Sequence, residues 1–432
     1  MPRTEAPAAA PAPGGYIPPR PLSLEETGLS RAFLTDCVLR SLYALHSCTG
    51  LEVAERLGLH FGAVTAPLLE TLRREHAVEV RGQRGVGDAG YIYALTDKGQ
   101  VRVQEALHRT HYEGPAPVPL QSYREGIAAQ AVRHLVVKRD TVRTALSDLV
   151  VHETLLDSVG SAVTTGSSLF LFGPPGNGKT SIAERIGRLL GEPVYVPYAV
   201  EADGQVIKIF DPINHSLVPE EPALPAGRDL RWVRIQRPVV MAGGELVLSS
   251  LDLLYSEARK YYEAPLQLKA NLGLLLIDDF GRQTMRPRDL LNRWIVPLEK
   301  RSDFLTLATG KTIEVPFATL IVFSTNLDPK DLVDEAFLRR IKFKLYVGDP
   351  DEQEYREIFQ RSCQRAGVPY EEGALHYLLD QHYRTPGRPL RRCHPRDLVD
   401  QLIAIASAEE QDLRLTPELI DQACLTYFAV EG

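Results

Sequence analysis

The chain has 432 residues, of which 24% are charged, and its formal net charge is -7. This length is enough for two or three domains, and the negative charge offers no global attraction to nucleic acid or to anionic membranes. No apolar run approaches the ~20 residues that span a bilayer, and the N-terminus lacks the apolar core of a signal peptide. The five cysteines are scattered and never spaced C-x-x-C, which suits a reducing compartment. We therefore expect a cytoplasmic protein without membrane insertion.

Two proline-rich segments bound the first folded region. Residues 1–22 consist largely of Pro, Ala and Gly and hold too little apolar surface to fold, which predicts a disordered tail. Residues 113–124 begin with EGPAPVPL and are predicted to form a linker. Residues 23–112 lie between them and form the first predicted domain.

The first domain has a helix-turn-helix pattern. Thr49 and Glu52 fit a capping box, and Gly58 is placed to end the helix that the box begins. A second amphipathic segment, two short strands around a glycine-rich turn, and another helix follow. This order resembles a winged-helix domain. Pro67 lies near the start of the second helix and is expected to shorten it.

The charges of this domain leave two roles open. Four arginines lie on the second helix and the hairpin: Arg73, Arg74, Arg81 and Arg84. A DNA-binding face typically clusters basic residues, because neutralising phosphates supplies much of the affinity. Six acidic residues lie among these arginines: Glu52, Glu55, Glu70, Glu75, Glu79 and Asp88. The mixed charge favours a protein-docking or structural role, with DNA binding as the alternative.

The remainder divides into an α/β part and a helical part. From residue 125 the pattern is first helical, and strands then alternate with helices up to residue 348, which predicts a parallel α/β sheet. Within it, residues 199–248 read as short strands between Pro and Gly turns and are predicted to be a β-rich insertion. Residues 349–432 are predicted to be a helical lid.

Residues 173–180 read GPPGNGKT and satisfy the phosphate-binding pattern G-x-x-x-x-G-K-[ST] in full. A strand-like apolar run precedes this loop and an amphipathic helix follows it, which is the setting that the pattern requires. Backbone N–H groups of such a loop turn toward the β-phosphate at a helix N-terminus, whose dipole favours anions. We expect Lys179 to reach the β- and γ-phosphates of ATP and Thr180 to bind Mg²⁺. The predicted nucleotide contacts in this loop are Gly173, Pro174, Pro175, Gly176, Asn177, Gly178, Lys179, Thr180 and Ser181.

A second signature, LLLIDD at residues 274–279, has four apolar residues followed by two acids. This is the form of a buried parallel strand that presents carboxylates at its C-terminal end. Asp278 is expected to hold the Mg²⁺ through water. Asp279 stands where hydrolytic relatives place a longer Glu that polarises the attacking water, so we expect slow turnover.

With these motifs the chain resembles the AAA+ ATPases over about residues 125–430. The resemblance places Asn326, at the end of TLIVFSTN, at the sensor 1 position, which orients the lytic water. In DEAFLRRIKFKL, Arg340 matches the arginine finger best and Arg339 is the alternative. In HPRDLVDQL, Arg396 matches sensor 2, which reaches the γ-phosphate, and the neighbouring Arg391 and Arg392 leave this assignment open. The resemblance implies that ATP is hydrolysed to ADP and phosphate between the subunits of an oligomer, a hexameric ring, with the finger acting in the neighbouring site.

Residues 293–317 predict a helix and two alternating strands just before the sensor 1 strand. This resembles the hairpin of the MoxR and magnesium-chelatase group and of enhancer-binding transcription activators. The GAFTGA loop of the activators is absent, and the paired acids are more like replication initiators and helicase loaders. In related proteins an insertion such as residues 199–248 projects near the pore or upper face of the ring. Tyr261 and Tyr262 are expected to pack, with substrate gripping as the alternative.

Together, the motifs and the hairpin favour an oligomeric, chaperone-like ATPase that remodels or assembles a protein partner. The alternative is a DNA-directed ATPase, helicase-loader-like or regulatory, whose winged helix holds duplex DNA. A third interpretation, motivated by Asp279, is an ATP-bound switch with negligible turnover.

Overall fold

The structure is a computed structural model that describes residues 15–131, 137–219, 227–332, 335–410 and 413–428. Residues 1–14 of the predicted tail therefore lie outside the described residues. Across the described ranges, no helix has both the length and the apolar character needed to cross a membrane. These ranges form an N-terminal region, an α/β core with a second β-rich layer, and a C-terminal group of helices.

The N-terminal region packs helices on a three-stranded antiparallel sheet with the order β1-β3-β2. Its elements are α1 (Arg31–Leu45), β1 (Ser47–Thr49), α2 (Gly50–Leu57), α3 (Ala66–Arg74), β2 (Val78–Gln83), β3 (Tyr91–Leu95) and α4 (Asp97–Arg109). Thr49 and Glu52 form a capping box, and Gly58 ends α2 with a φ of 65°. Pro67 lies in the first turn of α3, directly after a π-helical turn at Phe61–Thr65, so the helical segment continues past it and is not shortened.

Residues 118–346 contain the α/β core and the second layer. Their elements in chain order are β4 (Val118–Pro119), α5 (Leu120–Gln130), α6 (Arg139–Ala145), α7 (Glu153–Thr165), β5 (Leu169–Phe172), α8 (Lys179–Gly187), β6 (Val194–Pro197), β7 (Ala199–Ala202), β8 (Gln205–Lys208), β9 (Trp232–Ile235), β10 (Val239–Ala242), β11 (Leu254–Ser256), β12 (Tyr261–Glu263), α9 (Leu266–Lys269), β13 (Leu274–Ile277), α10 (Pro287–Lys300), β14 (Ser302–Thr306), β15 (Thr312–Pro316), β16 (Leu320–Thr325), α11 (Pro329–Leu332), α12 (Glu335–Leu338) and β17 (Phe343–Tyr346). The predicted hairpin before the sensor 1 strand is β14-β15.

The core sheet has five parallel strands in the order β10-β13-β16-β5-β17. Alternate residues of β13 enter two hydrophobic clusters, one on each face of the sheet, so the whole strand is buried. The predicted α/β class with a parallel sheet is thus confirmed. Because the strands are parallel, the loops that follow β5, β13 and β16 begin at the same edge.

The second layer is a sheet with the order β11-β12-β8-β7-β4, and it shares one hydrophobic cluster with the antiparallel pair β6-β9. The predicted limits of the insertion, 199–248, were wrong at the C-terminal end. β10 pairs with β13 in the core sheet, whereas β11 and β12, beyond residue 248, belong to the second layer. Short apolar strands look alike in sequence, and only their pairing partners distinguish them.

Tyr261 and Tyr262 pack within this layer, as expected for the first of their two interpretations. They are 8% and 1% exposed. The ring of Tyr261 lies edge-on to that of Tyr112 at 5.9 Å. The hydroxyl of Tyr262 accepts a hydrogen bond from the backbone N–H of Ala308 at 2.7 Å. Side chains held in this way are not available to grip a substrate.

Parts of the predicted linker and of the predicted tail are packed against the folded protein. Residues 116–119 are packed, because Val118 is fully buried in β4 and the N–H of Ala116 donates to the carbonyl of Leu57 at 2.8 Å. α5 begins at Leu120, inside the predicted linker. In the predicted tail, Ile17 packs on the second layer's cluster. Isolated apolar residues among prolines gave no periodic pattern, so their burial was not foreseen.

The C-terminal region is a helical unit with its own hydrophobic cluster. Its helices are α13 (Glu352–Ala366), α14 (Glu372–Leu379), α15 (His394–Ala408) and α16 (Pro417–Tyr427). Residues 411–412 and 429–432 of the predicted lid lie outside the described residues. The segment that leads into α15 contacts the glycine-rich loop of the core, since the N–H of Cys393 donates to the carbonyl of Gly176 at 2.9 Å.

Candidate nucleotide site

The glycine-rich loop joins the C-terminal end of β5 to the first residue of α8. Gly173, Gly176 and Gly178 have φ values of 141°, 78° and 81°, which residues with a Cβ rarely adopt. Gly178 is the N-cap of α8 and offers no side-chain cap, so the first N–H groups of this helix are free to bind a ligand in the loop. Such a loop is suited to bind phosphate. The predicted loop residues Pro174 and Pro175 are half-buried and exposed, respectively, and Ser181 is half-buried in the first turn of α8.

Lys179 is the centre of a polar cluster at this loop. Its ammonium group donates to the carbonyls of Gly173 and Pro174, both at 2.9 Å, and to Oδ1 of Asn326 at 2.6 Å. Burial lowers the pKa of Lys179, the carboxylates of Asp278 and Asp279 act in the opposite direction, and Arg391 lowers it further. The ammonium is a charged donor at the place where the loop would hold phosphates.

Thr180 and Asp278 meet beside Lys179. The hydroxyl of Thr180 donates to Oδ2 of Asp278 at 2.8 Å, although the two residues are far apart in sequence. Asp278 directly follows β13, so the parallel sheet carries its carboxylate to the edge where α8 begins. A hydroxyl and a carboxylate supply the oxygen ligands that Mg²⁺ prefers, and their position beside a phosphate loop fits a Mg·nucleotide complex.

Asp279 has left-handed backbone with a φ of 48°, which is uncommon for a residue with a side chain. Its N–H donates to Oδ1 of Asp278 at 3.0 Å. Nδ2 of Asn326 donates to Oδ1 of Asp279 at 3.4 Å, longer than a typical hydrogen bond. Asn326 therefore bridges Lys179 and Asp279.

The two candidate finger arginines lie after α12, away from this cluster in the sequence. Nε of Arg340 donates to Oε1 of Glu299 at 2.6 Å, and its side chain is 30% exposed. Arg339 is exposed.

The lid arginines Arg391 and Arg396 have different partners. The side chain of Arg396 is 68% exposed and pairs with Asp397 at 2.8 Å. Arg391 instead pairs with Asp349 and lies close enough to lower the pKa of Lys179. The resemblance to sensor 2 pointed to Arg396, in the first turn of α15, and left the neighbouring Arg391 open; Arg391 lies in the irregular segment before α15.

Comparisons with known families and proteins give few matches in sequence. A family model described as a domain of unknown function, DUF8689, matches residues 351–426, which lie in the C-terminal helices. No curated protein matches the chain.

Solved structures resemble the chain in shape at low sequence identity. NtrX from Brucella abortus in complex with ATP is 15% identical, with 62% of this chain and 54% of that chain covered and a TM-score of 0.39. The same protein in complex with ADP is 14% identical, with coverage of 75% and 59% and a TM-score of 0.40. The Holliday junction branch migration motor RuvB from Thermotoga maritima is 14% identical, with coverage of 68% and 71% and a TM-score of 0.36. The chain thus spans less than two thirds of the length of NtrX, and the assignment of the site depends on its own geometry.

Proposed function

We propose that the chain is an AAA+ ATPase that binds Mg·ATP at the glycine-rich loop and hydrolyses it to remodel or assemble a protein partner. The observation that carries this proposal is the convergence of Lys179, Thr180, Asp278, Asp279 and Asn326 from three separate strand ends. A phosphate-binding lysine, oxygen ligands for a metal ion and a polarised water position are the parts that phosphoryl transfer to water requires.

These residues divide three roles between them in the proposed reaction. Mg²⁺, when bound, neutralises charge on the phosphates. Lys179 binds the terminal phosphates, and Thr180 and Asp278 hold the metal ion. Asp279 and Asn326 together orient the attacking water. Nδ2 of Asn326 and Oδ1 of Asp279 are 3.4 Å apart, so the two side chains can adjust around the water.

The oligomer completes the site in this proposal. Arg340 from a neighbouring copy, with Arg339 as the alternative, stabilises charge that develops on the transferred phosphoryl group. An arginine supplied in trans contributes on the order of 10³–10⁵ in rate. In a ring of six copies, as in the AAA+ ATPases that the chain resembles, the arginine finger of each copy lies next to the nucleotide site of its neighbour.

The charges of the N-terminal region favour a protein partner over DNA. Arg73 and Arg74 lie 3.0 and 3.8 Å from Glu70. Arg81 lies 2.8 Å from Glu79, and Arg84 lies 3.6 Å from Glu52. Each of these four arginines is therefore paired with a carboxylate, which weakens the attraction of its charge for DNA phosphates. The element order α1-β1-α2-α3-β2-β3 nevertheless supports a winged helix, so DNA binding stays the second candidate.

Steady-state ATP turnover of Lys179→Ala tests the proposal. Removing a charged donor from the transferring phosphates should lower kcat/KM by about 10²-fold or more. Lys98→Ala, which removes an exposed lysine of α4, is the matched control and should leave turnover unchanged. Turnover of Lys179→Ala equal to that of the parent chain would contradict the proposal.

A gel shift with duplex DNA at two salt concentrations tests the second candidate on the full chain. DNA binding through the N-terminal region should weaken steeply with salt and should be reduced by Arg81→Ala together with Arg84→Ala. Binding that is absent at low salt would exclude this role and favour protein docking.

A further inference from the structure

Asn177, inside the glycine-rich loop, directs its whole carboxamide at the C-terminal region. Nδ2 donates to Oδ1 of Asp349 at 2.7 Å, and Oδ1 accepts from the backbone N–H of Arg392 at 3.2 Å. Only this orientation of the amide suits both partners, since a carboxylate accepts and a backbone N–H donates. Asn177 itself is 1% exposed, so its carboxamide is shielded from water, whereas the side chain of Asp349 is 35% exposed.

The partners of Asn177 are themselves fixed to the helical unit. Asp349 precedes α13 and pairs with Arg391 as well. The side chain of Arg392 pairs with Glu354, in the first turn of α13, at 2.7 Å. A shift of Asn177 would therefore displace α13 and the segment before α15.

The neighbouring glycine makes a second contact of the same kind. The carbonyl of Gly176 accepts from the N–H of Cys393 at 2.9 Å. A Cβ at position 176 would lie 2.6 Å from Sγ of Cys393, so the loop backbone and the lid segment touch directly. Two consecutive loop residues are thus bonded to two consecutive lid residues.

We infer that Asn177 is a positioning residue that couples the glycine-rich loop to the C-terminal helices. When the loop rearranges around phosphates, Asn177 moves Asp349 and residues 391–393 with it, because buried polar groups that lose their partners are strongly disfavoured. The inference rests on the proposed function, since it requires nucleotide in the loop.

An exchange of the two side chains provides the test. In Asn177→Asp two carboxylates face each other, so the bond to Asp349 is lost. In Asp349→Asn the bond is kept but the pairing with Arg391 is weakened. In the double variant Asn177→Asp with Asp349→Asn, donor and acceptor exchange places and the net charge equals that of the parent. Asp380→Asn, which removes a lid carboxylate paired with Arg384, is the matched control.

The readout is hydrogen exchange of the peptide 388–396 in the full chain, with and without saturating Mg·ADP. Nucleotide should change exchange there by about tenfold in the parent and in the control, a size typical of local opening coupled to a ligand. The response should fall below about twofold in Asn177→Asp and return in the double variant. A merely structural role would change exchange without nucleotide but leave the response to Mg·ADP intact.

The outcomes separate the inference from the proposed function. An undiminished response in Asn177→Asp, or no recovery in the double variant, overturns the coupling role even where ADP binds normally. If Asn177→Asp unfolds the lid, the double variant decides alone. Failure of the parent chain to bind a fluorescent ADP analogue overturns the proposed function, and the inference with it.

Discussion

Replacing Asp229 with Ala should loosen the N-terminal region from the second β-rich layer. Asp229 and Arg231 form an ion pair at 2.8 Å with side chains only 3% and 4% exposed. Nη1 of Arg231 also donates to the carbonyl of Thr27 at 3.0 Å and to that of Pro117 at 3.4 Å. The guanidinium thus joins the start of the N-terminal region to the segment that follows it, and the carboxylate is its only described acidic partner.

The size of the effect follows from this burial. Removing one partner of a buried pair costs about 3–5 kcal/mol, because the other charge stays buried and uncompensated. Arg231 keeps two carbonyl acceptors, which places the expected cost near the lower limit, about 3 kcal/mol. A cost of this size increases the population of the open state by about 100-fold, at 1.4 kcal/mol for each factor of ten.

Hydrogen exchange of the full chain measures this opening. The N–H of Ala116, which donates to Leu57 across the same contact, should exchange about 100-fold faster in Asp229→Ala. Asp157→Ala is the matched control, because Asp157 pairs with Arg139 on the surface, where side chains are 56% and 51% exposed. An exposed pair contributes at most about 1 kcal/mol. Equal acceleration in the two variants, or less than about threefold in Asp229→Ala, would refute the reasoning.

Three further predictions, which use five substitutions, test the candidate site. Asp279→Glu should raise ATP turnover by about tenfold, because a longer carboxylate reaches the position of the attacking water. The assay is phosphate release, and a rate that does not rise would show that the short side chain of Asp279 does not limit turnover. Arg340→Ala should lower the part of ATP turnover that rises with protein concentration by about 10³-fold, whereas Arg339→Ala should leave it unchanged. The reverse result would make Arg339 the arginine finger. Arg391→Ala should weaken ATP binding by about tenfold in an equilibrium titration, since a hydrogen bond to a charged group is worth about 1.5–3 kcal/mol. Arg396→Ala should change the ATP affinity little.

The parts of the site that could be predicted from sequence have patterns within a short stretch of chain. The glycine-rich loop is recognisable because its backbone excludes most side chains, and Lys179 and Thr180 follow it at a set spacing. Asp278 and Asn326 each end an apolar run, and parallel strands end at one edge of a sheet. The resemblance to the AAA+ ATPases implied that these residues meet, and the structure places them within hydrogen-bond distance of one another or of Lys179.

What only the tertiary structure decided involves partners that are distant in sequence. β10 and β11 are both short apolar strands, but one pairs with the core sheet and the other with the second layer. Arg391, and not Arg396, lies near Lys179 because the segment before α15 folds back onto Gly176 and Asn177. The sequence by itself determined the local chemistry, since spacing and backbone conformation act over a few residues. Strand partners and lid contacts depend on the packing of the whole chain, and no short stretch of sequence encodes them.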